Sequence, residues 1–152
     1  MDTLFPYTYK KEFENENELP IFKEIGWDYL EDIPLVENGD YVELERDEAL
    51  KVWIYKAVKT KRYKYIIYDD DYGTEIYTVV GGQYTKGYTE SEVIRFIREA
   101  ILINPYILSI TKLNAEHEGA LLKVSALINT IYSEDVEVEF NVWRPDHWGN
   151  TK

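Results

Sequence analysis

The sequence predicts an α+β fold, in which two main helices pack on a mixed, largely antiparallel sheet and an extended arm precedes them at the N-terminus. Apolar residues recur at helical spacing in two stretches, apolar and polar residues alternate towards the C-terminus, and acids interleaved with prolines interrupt every period near the N-terminus. We therefore expect an acidic extended arm over residues 1–38, a single α+β domain over residues 39–143 and a C-terminal tail over residues 144–152.

The first helix is predicted over residues 48–60. Asp47 suits the N-cap position, and Glu48 favours the positive end of the helix dipole. The buried face of this helix is predicted to contain Leu50, Trp53, Ile54, Ala57 and Val58. Just before the helix, Asn38-Gly39 is a hairpin-turn signal that predicts a short strand or hairpin over residues 39–45.

The second helix is predicted to end at Asn104-Pro105, because a residue that precedes proline avoids the helical conformation. Thr89 and Glu92 have the spacing of a capping box at its start. Its buried face is predicted to contain Val93, Ile94, Ile97, Ala100 and Ile101. Between the two helices, residues 63–68 predict a strand and Thr74–Val80 predict a short helix.

Three consecutive antiparallel strands are predicted over residues 106–116, 120–132 and 136–143. In the last of them, apolar residues alternate strictly with acidic or polar ones. We therefore expect this sheet to cover helices with its apolar face and to turn its other face to water or to a partner.

The negative charge is concentrated in the first third of the chain. Residues 1–50 hold 15 of the 29 acids and 4 of the 17 bases, a net charge of −11, whereas residues 51–152 carry only −1. A run of basic residues follows without an intervening acid: Lys51, Lys56, Lys59, Lys61, Arg62 and Lys64. The arm also carries many aromatic and aliphatic residues, so it either wraps its own domain or docks on another chain. We expect the domain to fold without it.

No residue pattern in the chain points to catalysis, a metal site or a cofactor site. The absence of cysteine excludes disulfides, thiolate nucleophiles and zinc-thiolate sites. His117 and His147 are too far apart in sequence for a local zinc motif, and Asp69–Asp71 lack the staggered spacing of a calcium loop. Nucleophile-elbow and phosphate-loop motifs are missing as well. We therefore expect no enzyme activity and no cofactor.

The overall charge also bears on partners. A net charge of −12 repels a phosphate backbone, so we expect no nucleic-acid partner. The apolar runs are far shorter than the ~20 residues of a membrane helix, and the N-terminus lacks a signal pattern, so we expect no membrane association. A chain without cysteine fits an intracellular origin.

Several motifs together resemble a known family. DEALKVWIYK at 47–56, RY at 62–63, DYG at 71–73, EAILINPYI at 99–107 and TIY at 130–132 occur in the order seen in XkdS-type baseplate proteins of PBSX-like prophages. These proteins are similar to the wider baseplate-wedge and sheath-initiator family of contractile phage tails, whose older name is acidic lysozyme. The resemblance covers about residues 18–143.

The resemblance implies a structural component of a contractile-tail baseplate, present in six copies. It would link inner baseplate wedge proteins, and tail tube or hub proteins, to the first ring of sheath protein by strand addition. The protein would then reside in the baseplate of a virion or tail-like particle that assembles in the host cytoplasm. Two alternatives remain open: an acidic, peptidoglycan-cleaving, lysozyme-like enzyme, and a free soluble adaptor. The sequence does not choose between infectious phage, defective prophage and bacteriocin.

The resemblance also suggests partner-contact residues. The wider family carries a Glu-Pro-Arg motif at the end of its second main helix, where this chain has Asn104, Pro105 and Tyr106, followed by Ile107. The charges of that motif are absent here, so only its helix-stop shape and a contact role carry over. From the basic helix face and the last strand we add Lys56, Lys59, Lys61, Glu137, Glu139 and Trp143. Glu137 and Glu139 would accept a basic partner strand and deter other pairings.

Overall fold

The structure, a computed structural model, describes residues 19–61, 72–80, 84–118 and 121–143. Within these residues lie two α-helices, a short 3-10 helix and nine strands. The helices are α1 (Arg46–Lys59) and α2 (Lys86–Leu102), and the 3-10 helix is Ile76–Thr78. The strands are β1 (Lys23–Ile25), β2 (Trp27–Asp28), β3 (Ile33–Pro34), β4 (Val36–Glu37), β5 (Asp40–Tyr41), β6 (Glu43–Glu45), β7 (Ile107–Glu118), β8 (Leu121–Thr130) and β9 (Val136–Trp143).

The predicted fold class is wrong, because the described strands do not form one mixed sheet on which the two helices could pack. The described strands form four separate antiparallel sheets, namely β1-β6, β2-β3, β4-β5 and β7-β8-β9. Helix α1 contacts β1 and β6 as well as β9, whereas α2 contacts β7. The six N-terminal strands have only two or three residues each, so turns interrupt them before they can extend a common ladder.

The predicted extended arm is also wrong as a description of residues 23–37, which form short strands. Three small ladders meet at a junction of backbone hydrogen bonds. Gly26 N–H donates to Val42 O (2.7 Å), Val42 N–H to Leu35 O (3.1 Å), and Leu35 N–H to Gly26 O (2.8 Å). The boundaries at residues 38 and 143 stay a prediction, and residues 1–18 and 144–152 lie outside the described residues.

Helix α1 begins two residues earlier than predicted, at Arg46. Asp47 is therefore not its N-cap. The Asp47 carboxylate instead accepts a hydrogen bond of 2.6 Å from the Thr130 hydroxyl, which ties the start of the helix to the end of β8. The buried face of α1 contains Ala49, Leu50, Val52, Ile54, Tyr55, Ala57 and Val58. Trp53, predicted on this face, is only half-buried.

Helix α2 begins one turn before the predicted capping box, at Lys86. Thr85 is the N-cap, since its hydroxyl accepts from Tyr88 N–H at 3.1 Å, while Thr89 is buried inside the first turns. The predicted end at Asn104-Pro105 is confirmed, because the helix stops at Leu102.

The three predicted C-terminal strands are confirmed as the meander β7-β8-β9. One face of this sheet is buried against the helices through residues such as Leu113, Leu122 and Ile128, which join the main core with Leu50, Ile54 and Ile97. The Asn38-Gly39 turn is confirmed between β4 and β5, with φ angles of 51° and 85°. The strand predicted over 63–68 lies outside the described residues, and the helix predicted over Thr74–Val80 is the 3-10 turn Ile76–Thr78.

Among the described helices, none is long and apolar enough to cross a membrane.

Candidate partner-binding surfaces

Strand β9 forms one outer edge of the three-stranded sheet. Its pairing with β8 runs without a register shift from Leu121↔Trp143 to Ile128↔Val136. On its other side, no described strand pairs with it. Among the described residues, the backbone N–H and C=O groups that alternate towards that side therefore have no strand partner, and we call this side the free edge of β9.

The two predicted glutamates lie on the outer face of β9. Glu137 stands opposite Leu127 and Glu139 opposite Ser125 on β8, and both glutamates are exposed. Within the described residues, neither carboxylate has an ion pair. Trp143 lies at the end of β9, opposite Leu121. The structure therefore places Glu137, Glu139 and Trp143 along one strand, as the alternation in the sequence predicted.

A shallow groove crosses this outer face and has a volume of about 210 Å³. Its walls are formed by Lys112 and Asn114 of β7, Ser125 to Leu127 of β8, and Glu137 to Glu139 of β9. The register sets Lys112 and Glu137 on either side of Leu127, so the basic end lies towards β7 and the acidic end towards β9.

The opposite edge of the sheet, strand β7, is less regular. Its pairing with β8 shifts register between Ile107 and Ser109 and again between Ile110 and Lys112. Helix α2 also packs against β7. Because bulges bend an edge strand and disturb its unpaired groups, β7 is the poorer template for an added strand.

The predicted basic face of α1 is occupied by the chain's own N-terminal segment. The Lys56 ammonium lies 3.3 Å from the Glu24 carboxylate and 4.4 Å from the centre of the Trp27 ring. The Lys59 ammonium lies 3.0 Å from the Asp32 carboxylate. Residues 24–32 thus dock in cis, one of the two alternatives that the sequence left open.

Asp32 is the centre of this contact. Its Oδ1 accepts hydrogen bonds from Trp27 Nε1 (2.9 Å) and the Tyr55 hydroxyl (3.1 Å), while Lys59 binds its Oδ2. Partial burial raises the pKa of Asp32, but the hydrogen bonds from Trp27 and Lys59, with the charge of Lys59, outweigh burial and lower it. For Lys59, burial lowers the pKa, but the hydrogen bonds to Tyr55 and Asp32 outweigh burial and raise the pKa above its usual value.

Sequence reasoning missed Asp32 and Tyr55 as members of this cluster. The signal that could have found them is the charge count, because a net charge of −11 over residues 1–50 beside a basic helix face favours pairing in cis. Lys61, the third predicted lysine, follows α1 and forms a single parallel bridge with Thr74.

The Asn-Pro-Tyr-Ile turn after α2 makes contacts with other residues of the same domain. Asn104 is buried, and its Oδ1 accepts from Tyr106 N–H at 2.9 Å, which closes the turn. The Tyr106 hydroxyl donates to the Pro20 carbonyl at 2.8 Å, and its ring meets Phe22 edge-on at 4.9 Å. Ile107 is also buried, so Pro105 is the exposed residue of the four.

No group of three histidine or acidic side chains that could hold a metal ion exists among the described residues. Asp69–Asp71 and His147 lie outside them, as does the side chain of His117. Of the described carboxyl groups, Asp32 and Glu92 have lowered pKa values; for Glu92 the main cause is its hydrogen bond from Arg95.

Comparison with known proteins identifies the family to which this small α and β protein belongs. The model of the contractile injection system sheath initiator family matches residues 23–133, nearly three quarters of the chain. This chain belongs to that family. The resemblance predicted from the sequence is thereby confirmed, and family membership supports a structural role in a phage-type tail.

A curated relative supports the same assignment. The phage-like element PBSX protein XkdS of Bacillus subtilis strain 168 is 32% identical over 84 residues. That alignment covers 55% of this chain and 60% of the relative, so the chain spans less than two thirds of the relative's length.

Proposed function

We propose that this protein initiates the sheath of a contractile tail by accepting a strand from a subunit of the first sheath ring at the free edge of β9. The observation that carries the proposal is the regular edge of β9, which pairs with no second strand in the described part of the chain and has Glu137 and Glu139 beside it. Family membership supplies the role of sheath initiator, and the geometry supports a mode of contact.

Strand addition suits this edge for a physical reason. An incoming strand gains main-chain hydrogen bonds to groups that otherwise bind water, and its side chains meet those of β9 as cross-strand pairs. Glu137 and Glu139 would stand beside two residues of the incoming strand that lie two positions apart. Lysine or arginine at those positions would fix the register, because a slip by one residue would turn them to the other face.

The remaining contacts are proposed by family resemblance and by exposure. Pro105 offers a surface for a baseplate wedge protein, and the buried Asn104, Tyr106 and Ile107 hold it in place. Lys56 and Lys59 hold the N-terminal segment in cis. Six copies around a tail tube, with wedge, tube or hub proteins as neighbours, complete the proposal, which places the protein in the baseplate of a virion or tail-like particle.

A structural role is favoured over a lysozyme-like activity. A glycosidase acid needs a carboxyl group whose pKa is raised by an apolar pocket. The pKa values of Asp32 and Glu92 are shifted the other way, because hydrogen bonds from Trp27 and Lys59 lower that of Asp32 and a hydrogen bond from Arg95 lowers that of Glu92. Incubation of the purified protein with peptidoglycan tests this alternative, and hydrolysis that one carboxylate substitution abolishes would establish an enzyme.

Charge reversal on β9 tests strand addition. Tails assembled with E137K and E139K together should show bare tubes by electron microscopy, because the incoming basic strand is repelled. The matched control is E116K, which reverses an exposed glutamate on β7 of the same sheet. Normal sheath with the β9 variant, or sheath lost only with the β7 control, would contradict the proposed edge.

A further inference from the structure

Exposed apolar side chains are concentrated on the two hairpins β2-β3 and β4-β5. Leu30 is 94% exposed, Ile33 52%, Val36 56% and Tyr41 65%. We call these four residues the apolar hairpin surface. Single exposed apolar side chains are common, but four within twelve consecutive residues are a feature that calls for a partner.

The second hairpin holds two of these side chains together. Val36 and Tyr41 are directly paired across β4 and β5, so their side chains project from the same face of the hairpin. The turn between the strands is the tight Asn38-Gly39 pair with both φ angles positive. Tyr41 is thus presented as an aromatic anchor on a short, well-defined hairpin.

The first hairpin is fixed to the domain. Asp32, next to Ile33, binds both Trp27 and Lys59, and its neighbour Glu31 donates its N–H to Asp28 Oδ1 at 3.0 Å. The nearby junction of Gly26, Leu35 and Val42 joins the two hairpins through backbone hydrogen bonds. A partner would therefore meet a preformed surface and would not have to order it.

Acidic residues flank these apolar side chains in the sequence. Residues 27–41 contain five acids and no base. Asp32 is paired with Lys59, and Asp28 caps the turn that follows it. Glu31, Glu37 and Asp40 are exposed and have no ion pair within the described residues. The surface thus combines apolar anchors with unpaired carboxylates.

We infer that the apolar hairpin surface docks on a protein partner whose apolar pocket is bordered by lysine or arginine. Nucleic acid and anionic lipid are poor occupants, because both repel this surface. A second copy is poor too, because a two-fold contact would set this acidic surface against an identical acidic surface. This site is separate from the β9 edge and does not depend on strand addition.

Photo-cross-linking in assembled tails tests the inference. A benzophenone amino acid at Tyr41 should cross-link to one other protein, at a segment that mass spectrometry shows to contain lysine or arginine. The same probe at Asn141, exposed on β9, reports separately on strand addition. Cross-links from Asn141 alone would overturn this inference, whereas cross-links from Tyr41 alone would leave it standing and count against the β9 proposal. Cross-links from Tyr41 to residues 1–18 or to a second copy would also overturn it.

Two sets of variants quantify the contact. V36S with Y41S should reduce incorporation of the protein into tails about tenfold, since aromatic anchors carry a large share of binding energy. E37Q with D40N should weaken the salt dependence of incorporation. The control is Y84S, which removes an exposed tyrosine before α2, and thermal unfolding of each purified variant should match the wild type. Unchanged incorporation of V36S with Y41S, or equal loss in Y84S, would refute the docking surface.

Discussion

The Lys59 ammonium lies 3.0 Å from the Asp32 carboxylate and joins the N-terminal segment to helix α1. The two residues are 27 positions apart, and Tyr55 and Trp27 complete their contact. This pairing makes residues 24–32 a part of the domain surface and engages Lys59 in a contact within the chain.

Asp32→Asn should lower the free energy of unfolding by about 0.5–1 kcal/mol, a modest value because the aspartate is half-exposed and screened. Since the pKa of Asp32 is lowered in the folded state, its contribution is present above the ordinary aspartate pKa and is lost as pH falls through the folded-state pKa. The raised pKa of Lys59 extends the contribution to alkaline pH, where it is lost as pH rises through that pKa.

Denaturant unfolding of the wild type and Asp32→Asn at several pH values checks this prediction. The difference in unfolding free energy between the two proteins should be constant near neutral pH and should become smaller in acid. Asp40→Asn, an exposed acid of the same segment without an ion pair among the described residues, is the control. An equal loss in both variants would show that the ion pair is not the cause.

Removal of residues 1–38 should destabilise the domain, contrary to what the sequence alone led us to expect. The deletion takes away the partner of β6 and the packing of Phe22 against Tyr106. We expect a loss of more than about 2 kcal/mol, the value of one buried large side chain. Deletion of residues 1–18 leaves every one of these contacts in place, and calorimetry should find its unfolding midpoint near that of the full chain. Equal midpoints for the two deletions would restore the original expectation.

Gly26→Ala should disturb the junction of the small ladders. A Cβ at this buried position would lie 3.0 Å from Leu35 Cδ1 and 3.4 Å from Val42 O. Overpacking of this kind costs about 1–3 kcal/mol. Gly87→Ala is the matched control, because a Cβ there meets nothing within 4 Å and lies in helix α2, where alanine is favoured. In thermal unfolding, the melting temperature of Gly26→Ala should be below that of the wild type, and that of Gly87→Ala should equal or exceed it. The reverse order would show that a Cβ at Gly26 is not crowded.

Thr130→Val should separate the start of α1 from the end of β8. The buried Thr130 hydroxyl donates to Asp47 and accepts from the N–H groups of Tyr132 and Ser133, both at 3.0 Å. Valine keeps the shape but leaves these groups unsatisfied, at a cost of about 1–3 kcal/mol. Thr111→Val, at an exposed site on β7, is the control in urea unfolding. If Thr130→Val lost no more unfolding free energy than Thr111→Val, water would be replacing the hydroxyl and the prediction would be wrong.

Sequence periodicity was sufficient to predict the elements that are long. The meander β7-β8-β9 and the end of α2 follow from alternation and from Asn104-Pro105, since each depends on neighbours in sequence. The capping positions moved by a turn or less, because Thr85 and Thr89 are both credible caps and tertiary packing decides between them. Family membership came from motif order, which periodicity cannot supply.

The N-terminal segment could not be predicted in the same way. Its strands are two or three residues long and show no measurable alternation, and their order depends on hydrogen bonds such as Gly26 to Val42. The role of Tyr106 was hidden for a similar reason, because its hydroxyl bonds to Pro20, 86 positions away. Contacts at such separation leave no local pattern.

A cryo-electron microscopy structure of the assembled baseplate, at a resolution that traces strands, would show whether the free edge of β9 receives a strand of the sheath. We expect a sheath-derived strand hydrogen-bonded along Val136–Trp143, with basic side chains beside Glu137 and Glu139. A sheath strand paired with β7, or a sheath contact without an added strand, would contradict it.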